Sequence, residues 1–198
     1  ETNSLAHRTT WLRSDLEKNL SKMQEVKFNT DIGYDIYENI YYVADWGKDI
    51  VLNEVTNVIN NKKKIYEVNK IEARIKTYNS LIEKMQYKGY ELTIKNMIEK
   101  INDLIGIRIV CNNLNEVYDL VKEFKNDDKF RILKEKDYII NPKKSGYTSY
   151  HLILEYGLEI DEFVIPIKAE LQVRTKEMDK WANAAHDLTY KRKKEIVS

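Results

Sequence analysis

At 198 residues, with 42% hydrophobic and 33% charged side chains and only six Gly and two Pro, the chain can bury a core and has no low-complexity linker. Its formal charge of +1 excludes a strongly basic nucleic-acid binder by bulk electrostatics, although "KKK" at 62–64 and "KRKK" at 191–194 are locally basic. A lone cysteine, Cys111, excludes an intrachain disulfide and fits a reducing cytoplasm; no run approaches the roughly eighteen apolar residues of a membrane span, so no membrane partner is expected.

In chain order, Leu5, Trp11, Leu12, Leu16, Leu20 and Met23 recur every three or four positions and predict an amphipathic helix. A second helix is predicted over Tyr34–Ile59, interrupted near Gly47, and two more over 70–88 and 91–102, separated at Gly89. "LIGIRIVC" at 104–111 is a β-branched run with Ile105, Ile107 and Ile109 on one face and Gly106, Arg108 and Val110 on the other. A helix from Asn115 to Phe124 follows, then strands over 130–134, 137–140, 148–156 and 163–174, and a last helix over about 176–194. This order predicts an α+β fold, a mixed central sheet of about five strands with helices packed on it. One domain spanning 1–198 is expected, with an N-terminal helical region to 69, a core over 70–191 and a basic tail from 192.

The chemistry concentrates in three places. In "KAELQVR", 168–174, alternation puts Lys168, Glu170, Gln172 and Arg174 on one strand face and Ala169, Leu171 and Val173 on the other. Asp103 directly precedes the strand that carries Arg108; if the two strands are neighbours, Asp103 and Glu170 can share a magnesium, whose oxygen-rich coordination suits one or two carboxylates plus substrate phosphates. In "EARIKTYNSLIEKM", 72–85, Lys76, Ser80 and Lys84 are four residues apart and stack on one face of the predicted helix, with Arg74 just before them. The third is "KKSGYTSYH", 143–151, where Ser145 and Gly146 make a turn flanked by Lys143, Lys144, Tyr147 and His151. Neither a G-x-x-x-x-G-K-[ST] nor a G-x-G-x-x-G is present, so a nucleotide site has to be built another way.

Five segments in order, "RIKTYNSLIEKM", "DLIGIRIVC", "KDYIINPKKSGYTSYH", "AELQVRTKEMDKWA" and "AHDLTYK", resemble the synthetase domain of the RelA/SpoT family over about 71–191, most closely its single-domain small alarmone synthetases. The resemblance implies a nucleotidyltransferase-like fold and magnesium-dependent transfer of pyrophosphate from ATP to a ribose 3′-hydroxyl, usually of GDP or GTP, giving (p)ppGpp. Carried over by position, Arg74 and Arg108 would flank the adenine, Lys76, Ser80 and Lys84 would hold phosphates, and Asp103 and Glu170 would bind Mg2+, with Glu170 also the general base. Tyr147 would stack on the acceptor base, Lys143 would reach its phosphates, and His151, Gln172, Lys136, Asp137 and Arg174 would complete the acceptor cleft. Gly146 would let the backbone approach closely.

Some positions depart from the family pattern. Many small synthetases carry a basic residue where Thr148 stands and an Asn where Thr189 stands, and the oligomeric ones add helices beyond the Tyr190–Lys191 pair, after which this sequence has seven residues. A tetramer of that type, a hydrolase domain and a regulatory C-terminal region are therefore not expected. The same family also includes toxin-type members that pyrophosphorylate the tRNA 3′ end and are neutralised by an antitoxin. In that alternative the two basic runs would hold RNA phosphates and Tyr147 would stack on the terminal adenine.

Overall fold

The computed structural model describes residues 26–60, 68–160 and 163–185. The predicted helix over 5–23, both basic runs, Thr189 and the Tyr190–Lys191 pair lie outside the described residues. The elements are α1 (Asp31–Asn60), β1 (Lys70–Ile75), α2 (Tyr78–Tyr87), α3 (Ile94–Lys100), β2 (Ile105–Cys111), α4 (Leu114–Asn126), β3 (Phe130–Asp137), β4 (Tyr150–Ile160) and β5 (Phe163–Thr175). A further helix, α5, covers 176–185.

Two compact units divide the chain. The helical unit takes residues 26–43 and 77–102, and its core is Phe28, Tyr37, Leu81, Met85, Ile94, Met97 and Ile101. Its helices start where side chains can cap them. Thr77 accepts from the Ser80 amide of α2 at 3.4 Å, and Thr93 from the Asn96 amide of α3 at 3.2 Å. Gly89, at φ +67°, ends α2 in the left-handed conformation that glycine adopts without penalty.

The sheet unit takes 44–76 and 103–185. Its five strands are ordered β1-β2-β5-β4-β3, with β2 and β5 parallel and every other pair antiparallel. One face is apolar: Ile105, Ile107, Ile109, Leu152, Leu154, Leu171 and Val173 are buried, and α4 adds Val117, Leu120, Val121 and Phe124. Burial of each such side chain stabilises by about 1.5–3 kcal/mol, which is why one hydrophobic stripe on α4 suffices to hold it there. Asn113 caps α4 and Glu116 returns a bond to the Asn112 amide, at 3.0 and 2.9 Å.

Three predicted elements are corrected. Residues 70–88 are not one helix: Lys70–Ile75 pair with Val110–Ile105 as an edge strand, and the helix begins only after Thr77. Lys76 and Arg74 therefore do not stack with Ser80 and Lys84 on a helix face. Residues 138–140 form a turn rather than a strand, because the Asp137 carboxylate accepts from the Ile139 and Ile140 amides at 2.8 and 3.0 Å and so ends β3. Finally, α1 passes through Gly47 unbroken; a Cβ there would stand 3.2 Å from Ile167, so the glycine serves close approach to β5 rather than interruption.

β3 contains a bulge between Ile132 and Lys134, with one extra residue against β4. Beyond it, Glu135 and Asp137 share the face of Leu152 and Tyr150, while Lys134 and Lys136 share that of Ile153 and His151.

Candidate active site on the polar sheet face

The face opposite α4 is set by strand register. One row across the sheet reads Arg74, Gly106, Glu170, Ile153 and Lys134; the next reads Glu72, Arg108, Gln172, His151 and Lys136. Alternation on five separate strands thus gathers residues more than sixty positions apart. Lys136, Arg74, Arg108, His151, Glu170 and Gln172 are brought together on this face.

Glu170 lies at the centre of the sheet, held at both oxygens. Its Oε1 is 3.2 Å from His151 Nδ1 and its Oε2 accepts from Gln172 Nε2 at 2.8 Å. The other imidazole nitrogen, Nε2, is 2.9 Å from the Tyr147 hydroxyl. The tautomer that satisfies both contacts donates from Nδ1 to Glu170 and accepts at Nε2 from Tyr147. Burial pushes the Tyr147 phenol above its ordinary value, against the opposing pull of Ser149 and Arg174, so it remains a donor.

Tyr147 belongs to the turn before β4 and not to the strand itself. Gly146 donates to the Lys143 carbonyl at 2.8 Å and Lys143 to the Tyr147 carbonyl at 3.1 Å. Gly146 has φ +84°, and a Cβ there would stand 3.2 Å from the Trp181 ring, so the close approach it permits is that of α5. Lys143 Nζ lies 4.6 Å from the Tyr147 ring centre and 4.7 Å from that of Tyr138. Tyr138 also meets His151 edge-on at 5.1 Å. Sequence reasoning missed Tyr138 as part of this cluster although it stands inside the "KDYIINP" segment.

Asp103 stands two residues ahead of β2 and pairs with Lys76 at 3.1 Å, both largely buried. The parallel pairing of β2 with β5 makes the strands that follow Asp103 and carry Glu170 neighbours, as the sequence reading required. Among the described residues no three His, Cys, Asp or Glu gather into a metal cage. A cation held by Asp103 and Glu170 would have to complete its shell from bound phosphates and water, which is the habit of magnesium.

One assigned residue leaves this face. Asp137 faces α4, not the polar side: its Oδ2 accepts from the Tyr118 hydroxyl at 2.9 Å and its Oδ1 caps the 138–140 turn. Ser80 and Lys84 stand one turn apart on α2, in the helical unit. Arg174 is 1% exposed, and its guanidinium forks onto Asp179 of α5, with Nε donating to Oδ1 at 2.8 Å. Arg108 Nη1 lies 3.4 Å from Glu72 and 3.7 Å from the same Asp179 oxygen. Burial, then the Arg174 charge, lowers the pKa of Arg108.

The architecture is thus a five-stranded α+β sheet with one apolar face under helices and one face lined by arginines, lysines and a clamped carboxylate. The region found in RelA and SpoT proteins matches residues 73–195, and the chain belongs to that family. The GTP pyrophosphokinase YwaC of Bacillus subtilis is 38% identical over 141 residues, covering 71% of this chain and 66% of the relative. The GTP pyrophosphokinase YjbM of the same organism is 36% identical over 123 residues, covering 61% of this chain and 56% of the relative, so the chain spans less than two thirds of either. Among solved structures, the small alarmone synthetase 2 of Bacillus subtilis superposes with a TM-score of 0.70 at 31% identity, covering 80% of this chain and 82% of the other.

Proposed function

We propose that the protein is a magnesium-dependent pyrophosphotransferase that moves the β,γ-pyrophosphate of ATP to the 3′-hydroxyl of GDP or GTP, giving (p)ppGpp. The observation that carries this reading is the chain Tyr147–His151–Glu170–Gln172, a carboxylate pinned at both oxygens in the middle of a basic sheet face. It is supported by the names of the relatives, two of them GTP pyrophosphokinases at 38% and 36% identity.

Glu170 takes the proton of the attacking 3′-hydroxyl. The oxygen bonds to the β-phosphorus, the bond from that phosphorus to the oxygen bridging to the α-phosphate breaks, and AMP leaves with the electron pair. His151 and Gln172 fix the carboxylate's aim, so the contribution of these side chains is positioning as much as proton transfer. Arg74 and Arg108 flank the adenine, and Lys76 meets the phosphates. Asp103 and Glu170 would hold Mg2+, which supplies neutralisation of the phosphate charge when bound. Tyr147 stacks on the acceptor base. That base takes the ring face now covered by the Lys143 ammonium, exchanging a cation–π contact of about 0.5–1 kcal/mol for stacking of about 1–3 kcal/mol and freeing Lys143 for a phosphate. A lone buried cysteine supports a cytoplasmic site of action.

The test is transfer from γ-labelled ATP to GDP, GTP and deacylated tRNA in separate reactions, with Glu170→Gln as control. Label is expected in the guanosine nucleotides, with a loss of about 10²–10⁴-fold in the variant while ATP still binds. Label confined to the tRNA 3′ end would replace this reading with the toxin-type one, whose basic runs lie outside the described residues.

A further inference from the structure

Asp179 has no part in the scheme above, yet it is the carboxylate on which two of the sheet's arginines converge. Its Oδ1 receives the buried Arg174 fork and lies 3.7 Å from Arg108 Nη1, while its Oδ2 accepts from Asn183 at 3.1 Å. Arg174 sits in register beside Val110 on the strand next to Arg108, and at 1% exposure its charge is permanent and poorly screened. Two guanidinium groups this near repel, and the shared Asp179 carboxylate offsets that repulsion at Arg108. Its other partner, Glu72, is 41% exposed and correspondingly weak. Two residues along the same helix, Trp181 abuts Gly146 in the turn that carries Lys143 and Tyr147.

We propose that Asp179 is a positioning residue for the transfer reaction: its carboxylate fixes the Arg108 guanidinium on the ATP side while anchoring α5, whose Trp181 backs the acceptor turn. The inference rests on the proposed function for the meaning of "ATP side". Asp179 touches no reacting atom; it acts on ATP through Arg108. Removing its charge leaves Arg108 facing an uncompensated Arg174 and turns the adenine flank toward solvent.

The experiment is a double-mutant cycle on the full chain, with Asp179→Asn and Asp179→Glu each made in the native and Arg108→Ala backgrounds. KM for ATP and kcat are measured with GDP as acceptor, and affinity for a non-hydrolysable ATP analogue by calorimetry. Asp179→Asn is expected to raise KM for ATP and weaken the analogue about tenfold with kcat changed much less, and to have an effect under about twofold once Arg108 is gone. Asp179→Glu keeps a charge beside Arg174, so it carries the cycle if the Asn variant does not fold; a partial effect on ATP, again abolished by Arg108→Ala, is expected. Effects of full size in the Arg108→Ala background, or a loss confined to kcat with analogue binding unchanged, would overturn the proposal. Native protein that binds the analogue but transfers nothing to GDP overturns the proposed function while calorimetry still judges Asp179; failure to bind the analogue at all overturns both.

Discussion

Replacing Arg174 by Met should be among the most damaging single changes in the sheet unit. The side chain is 1% exposed, and its loss strands a carboxylate that is itself only 13% exposed. Breaking a buried ion pair from one side costs about 3–5 kcal/mol. Here Asp179 retains the Asn183 amide and the more distant Arg108, so the lower end, about 3 kcal/mol, is expected. For a chain of this size each kcal/mol shifts the melting temperature by about 2–4 °C, giving a fall of roughly 6–12 °C. Thermal unfolding followed by far-UV circular dichroism at pH 7 measures it. The paired change Arg174→Met with Asp179→Leu removes both charges and should recover at least half of that loss, because apolar replacement of a whole buried pair is often neutral. A single variant melting within about 2 °C of the native protein, or a double variant melting as low as the single, would refute the reasoning.

Three further outcomes are expected. Gly146→Ala puts a Cβ at φ +84° and 3.2 Å from Trp181, so KM for GDP should rise several-fold with KM for ATP unchanged; equal effects on both substrates would contradict an acceptor-side turn. Asp137→Asn should cost about 1 kcal/mol by urea unfolding and leave KM for GDP within about twofold, since the carboxylate serves Tyr118 and the turn; a tenfold rise would return Asp137 to the cleft. Burial pushes the Cys111 thiol from 9.0 up to about 12 and the Tyr150 phenol from 10.0 up to about 12. The folded protein keeps these protons where the unfolded chain sheds them. Stability should therefore fall as pH rises above 9 for Cys111 and above 10 for Tyr150, by up to about 1.4 kcal/mol per unit for each, and Cys111→Ala should flatten the first step between pH 9 and 10. Urea midpoints that do not change between pH 9 and 10 would exclude this.

Much of the sheet can be read directly from side-chain alternation. The β2 and β5 segments alternate cleanly because one face meets α4 and the other carries polar chemistry, and Glu170, Gln172, Arg108 and His151 follow from that period and the family segments. The edge strand β1 could not be separated from its helix in this way: Ile71, Ile75, Tyr78, Ile82 and Met85 also fit a helical spacing, and only pairing with β2 distinguishes the first six residues. In the 137–140 run the β-branched pair Ile139–Ile140 favours a strand, but one aspartate side chain bonding forward to two amides outweighs that preference. The Arg174–Asp179 fork spans the junction from a period of two to one of 3.6, where neither rule says which side chains meet. The Tyr138–Lys143–Tyr147 cluster depends on the closure of a whole turn.

The extra residue in β3 acts on the site as a frame setting. A strand has an inside and an outside frame, and the bulge after Ile132 switches between them, which is why Lys136 rather than Glu135 lies beside His151. Pairing Leu133 with Ile153, with no bulge, would carry Lys136 to the α4 side and bring Glu135 beside His151, whereas deleting Leu133 would only straighten the ladder and leave Lys136 where it is. In that unbulged pairing a cation at the acceptor wall would be exchanged for an anion with no residue substituted, so the sign of that wall is written in the pairing register of the strand as much as in the identity of its residues.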